Sequence, residues 1–334
     1  YGLKGEDPLF VKLGSISDLS LGNGFIMSDY SNMHFMPQQR IFGLDVGLDG
    51  ALFDFPYAGI EVLTGNLARF DVFGARVFAR PLAGTDLPIL KDAQAGITFA
   101  ADRTPYEKGG IEYEPVGAEP ASDGAIAVYG GDVTVPILGG KAFPLAAFTE
   151  LAFEPNGSFG WMVGLGGRLI GIFTYGAQVR LLQDGFIPSY FDANYDIYVA
   201  KKYVYMQDDA GSGTYVGWLA SLGTSLFEDA LAFKVSLDGP FAAAPAGSTD
   251  QTDYPHLRSV LRLDQLGAFP FFFDASYEKY RLGAMDGFFK DLVDPTDAVI
   301  GLSVNYKTGA SVLTLKSSID AIPGLLIGPG GRPA

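Results

Sequence analysis

Apolar and polar residues alternate one by one along most of this chain. At 42–49, Phe42, Leu44, Val46 and Leu48 are separated by Gly43, Asp45, Gly47 and Asp49. At 231–238, Leu231, Phe233, Val235 and Leu237 are separated by Ala232, Lys234, Ser236 and Asp238. Successive side chains of a strand point to opposite faces, so each segment predicts a strand with one apolar and one polar face. The same period predicts strands over 8–19, 40–52, 56–65, 70–80, 93–102, 124–137, 141–153, 158–168, 172–182, 213–224, 230–239, 255–264, 269–280, 298–307 and 309–319. They average about 11 residues, longer than the 5–6 common in soluble sheets. That length suits a tilted strand crossing a bilayer, which needs about 9–11 residues.

The connections carry a second pattern. Short ones fall at 139–140, 169–171, 227–229, 265–267 and 308–309, and long ones at 103–123, 183–212, 240–254 and 281–297. Short turns at one end and long loops at the other are the mark of an up-and-down barrel in an outer membrane. Single-chain bacterial barrels have an even number of strands. Segment 8–19 is therefore expected to lie outside the wall, which leaves about fourteen strands; sixteen results if 320–334 hides another. Pro323 and Pro329 in that tail would interrupt a ladder. The expected fold is all-β: a single up-and-down antiparallel transmembrane β-barrel with short periplasmic turns and long extracellular loops. Residues 1–39 form an N-terminal plug, or a first strand plus loop. Residues 40–319 form the barrel and 320–334 a tail.

The two faces are read from parity. Asp45, Asp49, Glu61, Arg76, Arg80, Glu150, Arg168, Arg180, Arg258, Arg262, Asp274 and Glu278 fall opposite apolar neighbours and are assigned to the lumen and its constriction. Ile60 and Val62, Phe73, Ala75 and Val77, Phe173, Tyr175, Ala177 and Val179, and Ile300, Leu302, Val304 and Tyr306 are assigned to lipid. A charge on the lipid side at mid-bilayer costs roughly 2–4 kcal/mol. The polar set holds both signs, so it fits a pore lined by opposed charges or salt bridges filling a narrow interior. Gly43, Gly47, Gly59, Gly74, Gly96, Gly164, Gly166 and Gly176 share this face and leave room for solute or for an inserted segment. Phe53, Phe55, Tyr57, Phe70, Phe153, Phe159, Trp161, Tyr215, Trp218, Phe227 and Tyr306 are candidates for interfacial girdles.

Several connections have their own character. In 183–207, Phe191, Tyr195 and Val199 recur at helical spacing. Tyr190, Phe191, Tyr195 and Tyr198 are assigned to a loop lid, with a self-packed surface loop as the alternative. Segment 20–39, rich in Met, Asn and aromatics, reads as a plug or a long loop. Loop 102–123 carries Asp102, Glu107, Glu112, Glu114, Glu119 and Asp123, and loop 281–297 carries Asp286, Asp291, Asp294 and Asp297. Such runs usually make a solvated face, and none has calcium-loop spacing.

Composition narrows the choice. The chain has 334 residues and a net charge of −15, which opposes a nucleic-acid partner. No run approaches the ~18 apolar residues of a membrane helix. The chain has no cysteine, which excludes disulfides and thiolate metal sites, and its only histidines are His34 and His256. No enzyme, metal or cofactor is expected. A hydrolase built on His256 and Ser259 is the one catalytic alternative. The chain opens at Tyr1, which fits a mature form whose signal peptide has been removed.

In its alternation and loop sorting over 40–319, the chain resembles bacterial outer-membrane β-barrels of the porin and hydrophobic-solute transporter type. The stretches Leu21-Gly-Asn-Gly-Phe-Ile-Met-Ser-Asp-Tyr-Ser-Asn and Phe186-Ile-Pro-Ser-Tyr-Phe-Asp-Ala-Asn-Tyr-Asp are similar to segments of spirochaete outer-membrane proteins. Barrels of this type usually end in an aromatic residue, whereas this chain ends Gly-Gly-Arg-Pro-Ala. The resemblance implies a bacterial outer-membrane channel for passive diffusion of small solutes. Membrane lipid would surround it, and a homo-oligomer or a protein partner would meet its extracellular loops. A closed structural barrel that binds a partner through its tyrosine-rich and acidic loops, and a soluble secreted all-β protein, are the alternatives.

Overall fold

In chain order the strands are β1 (Leu9–Gly14), β2 (Leu19–Leu21), β3 (Met27–Tyr30), β4 (Gly43–Asp49), β5 (Ala58–Thr64), β6 (Val72–Ala79), β7 (Gln94–Asp102), β8 (Glu107–Lys108), β9 (Ile111–Glu112), β10 (Ile126–Leu138), β11 (Leu145–Phe153), β12 (Phe159–Leu169), β13 (Phe173–Gln183), β14 (Thr214–Leu226), β15 (Leu231–Pro240), β16 (His256–Leu263), β17 (Phe271–Lys279), β18 (Ala298–Thr308) and β19 (Ser311–Asp320). Two helices, α1 (Tyr195–Tyr205) and α2 (Phe288–Val293), lie in connections. The computed structural model describes all residues except 3, 6, 17–18, 34–40, 106, 109–110, 113–123, 141, 228–229, 249–250, 265–268, 286, 309–310 and 321–334. Of the acids expected in loops, Glu114, Glu119, Asp123 and Asp286 lie outside the described residues, as do 34–39 of the expected plug and 321–334 of the tail.

One antiparallel sheet takes β1, then β4 to β7, then β10 to β19, each strand beside its predecessor. The fourteen strands from β4 onward are those expected for the wall. The fifteenth corrects the expectation that 8–19 stays out of it. Leu9, Val11 and Leu13 stand opposite Leu48, Val46 and Leu44, so apolar meets apolar on one face and the pairing is in phase. Strand 40–52 stops early because the Asp49 carboxylate accepts from the Ala51 N–H at 2.9 Å and starts a 3₁₀ turn. Strands β1 and β19 are the two edges of the sheet, and among the described residues they do not pair.

The antiparallel order sorts the connections. Connections 103–125, 154–158, 184–213, 241–255 and 280–297 leave from one end of the strands; 80–93, 139–144, 170–172, 227–230, 264–270 and 309–310 leave from the other, so the long 80–93 and the short 154–158 depart from the sorting. Exposed aromatics collect at both ends. Phe70, Tyr129, Phe153 and Trp161 lie toward the long connections, and Phe53, Phe143, Phe173, Phe227, Phe271 and Tyr306 toward the short ones. The faces are inverted relative to an ordinary soluble sheet. Val77 is 55% exposed, Ile97 73%, Leu222 54% and Leu315 71%, whereas Asp45, Arg76, Glu150, Arg180 and Glu278 are buried.

The chain divides into two units, one of Tyr1–Ile137, Ala146–Val163 and Leu181–Thr214, the other of Leu138–Leu145, Gly164–Arg180 and Tyr215–Ala334. In the first, the polar face of the wall strands is covered by protein. The hairpin β2–β3 buries Leu19, Leu21, Phe25, Ile26, Met27 and Tyr30. Segment 189–191 extends it through bonds from Ser189 N to Phe25 O (2.7 Å), Phe191 N to Ile26 O (3.2 Å) and Ser28 N to Phe191 O (3.1 Å). Helix α1 lays Tyr195, Tyr198, Val199, Lys202 and Tyr203 on it, the i, i+3, i+4, i+7, i+8 stripe of one helix face. Phe191 precedes the helix, because it is bridged to Met27 and the Asp192 carboxylate takes the Asn194 N–H at 2.9 Å.

Gly43 and Gly74, two of the glycines on the polar face, are where this covering lands. A Cβ on Gly43 would meet Ile16 Cδ1 and Asn32 Nδ2 at 2.8 Å and the Thr64 carbonyl at 2.9 Å, and one on Gly74 would meet Leu21 Cδ1 at 2.7 Å. The inserted segment, not open space, is what these glycines admit.

In the second unit, loop 280–297 is less solvated than its acids suggest. Asp291 is buried against Lys279 Nζ at 2.9 Å, and Arg281 pairs with Asp297 at 3.3 Å. In the first, Asp102 is equally buried and accepts from the Tyr195 hydroxyl at 3.0 Å.

Replacing Gly43 by Val is expected to destabilise the fold by about 1–3 kcal/mol through overpacking. Gly131→Ala, whose Cβ meets only the Gly96 carbonyl at 3.4 Å, should cost less than Gly43→Val. Denaturant unfolding of both variants checks the order.

Candidate functional site

The first unit gathers six of the assigned residues into one network. Strands β4 and β5 present Asp45 and Glu61 to Lys4, whose Nζ lies 3.1 Å from Asp45 Oδ2 and in contact with Glu61. Lys4 also donates to the Ser20 carbonyl at 2.9 Å, tying the hairpin to the same point. Burial alone would lower the Lys4 ammonium, but Glu61 and Asp45 outweigh it and hold it above the ordinary lysine value. Glu61 faces Arg76 directly across β5 and β6.

Arg76 turns instead to Asp132, two strands away, in a bidentate pair: Nε to Oδ2 at 3.0 Å and Nη2 to Oδ1 at 2.6 Å. The pair crosses over Gly96 of β7. A Cβ there would stand 2.6 Å from Asp132 Oδ2 and 2.8 Å from Arg76 Nε, so any side chain at 96 would part the ions. Phe78 lies between Arg76 and Arg80, with the guanidinium carbons 5.1 and 4.9 Å from its ring centre. Arg80 closes the row on Asp49 at 2.5 Å. Glu150 on β11 accepts from the Asn23 N–H of the hairpin turn at 3.0 Å, and Thr134 donates to Asn23 Oδ1 at 3.1 Å.

The second unit gathers four more. Arg262 Nε lies 3.3 Å from Asp274 Oδ1 across β16 and β17, and Arg258 stands directly opposite Glu278. His256 bridges two acids, Asp238 at 3.2 Å and Glu278 at 2.9 Å, and its ring stacks on Tyr280 with centres 4.4 Å apart. Arg180 is buried and donates to Gln178 at 3.0 Å. Arg168 shares the parity of the set and is exposed near the short turn 170–172.

The residues assigned to a lid are an interior cluster. Tyr190, Phe191 and Tyr195 are fully buried, with ring centres 4.8–5.7 Å apart. Lys202 lies over the rings of Tyr190 and Tyr195 and donates to the Tyr190 carbonyl at 2.7 Å and to Asp192 at 2.8 Å. The Tyr30 hydroxyl donates to Asp196 at 3.1 Å. Burial, with nearby carboxylates, holds the hydroxyls of Tyr30, Tyr190 and Tyr195 well above the ordinary tyrosine range.

Glu154, just past β11, takes the Ile187 N–H at 3.0 Å and the Ser158 hydroxyl at 3.0 Å. Burial pushes its carboxyl up to about 8, against the pull of these donors and of Lys202.

Sequence reasoning missed Lys4, Asn23, Asp132, Asp238 and the bridging role of His256. Asp132 had a legible signal, since it shares parity with Thr134 in β10. Lys4 had none, because it meets its partners only through the return of the N-terminal segment.

Asp132→Asn strands the buried Arg76 and should cost about 3–5 kcal/mol, while the paired change Arg76→Met with Asp132→Leu should cost less; thermal unfolding of both ranks them. Glu154 keeps a proton in the fold that the unfolded chain releases near 4.5. Its contribution is therefore complete below that pH and is lost as pH rises through about 8. Stability measured from pH 5 to 9 should fall across this window, and Glu154→Gln should flatten the slope. No protein-family model, no curated protein and no solved structure matches the chain.

Proposed function

We propose that the sheet closes on itself as a barrel spanning a bacterial outer membrane, and that the chain is a passive channel for small solutes whose resting path is stopped by its own N-terminal segment. The observation that carries this reading is the inversion of the faces. A soluble monomer rarely exposes more than a few hundred Å² of contiguous apolar surface. Here the wall strands other than β4 and β16 turn aliphatic or aromatic residues outward, from Val62 and Val77 to Leu302, Leu313 and Leu315. Acyl chains are the solvent that such a surface suits, and aromatic residues at both strand ends suit the two headgroup levels. The alternation of short and long connections from β12 onward supports the same reading.

The mechanism follows from the network. The charged face offers a polar path with both signs of charge, and Lys4, Asn23 and the hairpin core hold the segment across it. Solute passes when the segment moves, and the Arg258–Glu278 and Arg262–Asp274 rows filter by charge.

A second reading, a permanently closed barrel that binds a partner through its loops, is favoured by the bidentate Arg76–Asp132 pair and the depth at which the hairpin is buried.

Planar-bilayer recording separates them. The chain has no cysteine, so Asn23→Cys with Thr134→Cys supplies the only thiols, at side chains that touch. Conductance should be low when this pair is oxidised and recover on reduction, and Arg258→Glu with Arg262→Glu should shift ion selectivity toward cations. Silence in both redox states would leave the closed barrel, and full recovery of the protein in low salt without detergent would end both membrane readings.

A further inference from the structure

Helix α2 lies against the outward side of β17. Tyr277 and Lys279 share the parity of Phe271 and Ala275, and they stand opposite Ile300 and Ala298 on the face where Phe271 and Leu302 are exposed. The Tyr277 hydroxyl donates to the Leu292 carbonyl of α2 at 2.5 Å. Lys279 donates to the Asp294 carbonyl at 3.1 Å and the Thr296 carbonyl at 2.5 Å, and pairs with Asp291 at 2.9 Å. The Asp291 carboxylate also accepts the Gly283 N–H at 2.6 Å. Parity sends Lys279 to the apolar side of the wall, where an unpaired charge is costly. The helix covers that charge and neutralises it, and Lys279 and Asp291 are each 1% exposed.

The covering helix is inverted as the wall is. Its acid Asp291 turns to the strand, while Phe289 and Val293, one turn apart, are 80% and 78% exposed. Phe288 and, just before the helix, Met285 are exposed beside them. A helix in a watery loop would bury such residues and expose the acid. The patch also completes a pattern at the strand ends. On β17 and β18 the exposed aromatics Phe271 and Tyr306 lie toward the short connections, and α2 supplies Phe288 and Phe289 at the other end. Tyr277 is two residues from the end of β17, so α2 flanks roughly the last 7 Å of the strand. An interfacial helix buries its apolar face to a similar depth, about 5–10 Å into the headgroup boundary. Lys290 is exposed next to the patch, where its stem can lie along acyl chains and its ammonium reach a lipid phosphate. Four side chains of this size offer on the order of a few hundred Å². That is short of the ~800 Å² per partner that a stable protein complex buries, but the patch adjoins the outward face of β17 at Tyr277.

We infer that α2 docks on lipid. Met285, Phe288, Phe289 and Val293 seat in the headgroup–acyl boundary of the leaflet on the side of the long connections, and the Lys279–Asp291 pair holds the helix to the wall. The inference rests on the reading that the outward face of the wall meets lipid, and it adds a contact made outside the strands.

The chain has no cysteine, so a single introduced cysteine carries an environment-sensitive fluorophore at one known place. Phe289→Cys and Val293→Cys report on α2, Leu222→Cys on the exposed middle of β14, and Ala246→Cys on an exposed position of connection 241–255. Each full chain is reconstituted in vesicles of phosphatidylethanolamine and phosphatidylglycerol that carry a nitroxide either high or low on the acyl chain. Both α2 labels should emit to the blue of the Ala246 label, resist quenching by iodide, and be quenched more by the high nitroxide than by the low one. The Leu222 label should be quenched more by the low one. If Leu222 is quenched while both α2 labels are open to iodide and untouched by either nitroxide, the inference is overturned and the membrane wall stands. If the α2 labels are shielded from iodide and from both nitroxides, protein covers the patch, a second copy of the chain included, and the inference is again overturned. Quenching by lipid at α2 without quenching at Leu222 keeps the docking helix and ends the spanning wall. Absence of lipid quenching at every label ends both.

Discussion

The pleat of a strand fixes two environments at once. Every residue placed on one face sends its neighbours to the other, and in this chain the face that carries charge is the one that protein covers. Once Asp45, Glu61, Arg76, Asp132 and Glu150 are enclosed, each must find an opposite charge or a hydrogen-bond donor, because an isolated buried ion is too costly to keep. The rest of the first unit answers that demand. Arg76 reaches across a glycine to Asp132, Arg80 turns to Asp49, and Lys4 arrives from the N-terminus to stand between Asp45 and Glu61.

The N-terminal segment is therefore held by two kinds of force with different ranges. Its apolar side chains seat in glycine-made recesses, where contact is lost with a shift of an ångström. Its polar groups meet the wall ions, and those attractions fall off more slowly with distance. Glu150 and Thr134 grip Asn23 at the hairpin tip, while Lys4 grips the segment near its start. A segment tied at both places is released only when both give way, which makes its seating cooperative.

Much of the sheet was legible because period-two alternation is a local signal. Leu44, Val62, Val77, Val179 and Leu302 could be assigned to one face from their immediate neighbours, and the fourteen strands from β4 onward follow. What was not legible depends on the covering. Ile126 and Val128 are apolar although they lie on the charged face, because they are buried there with the hairpin and α1 cluster in the same unit. That apolar start of β10 hid the parity of Asp132. The even-number rule excludes β1 from the wall, yet its pairing is decided by Leu9, Val11 and Leu13 matching the apolar face of β4. Lys4 and Asn23 carry no pattern of their own, since their partners are brought to them by chain return over long separations.

The odd strand count has a consequence for the proposed barrel. With neighbours antiparallel throughout, the first and fifteenth strands run in the same direction. Closure would join β1 to β19 as a parallel pair, slightly weaker per residue than the antiparallel pairs beside it. Strand β1 has only six residues, so the seam would also be short. The same segment that forms this edge continues directly into the hairpin that covers the charged face. In such an arrangement the stopper and the weakest joint of the wall belong to one stretch of chain, so loosening either one loads the other. An ion pair at Lys4, five residues before β1 begins, then sits where it steadies both.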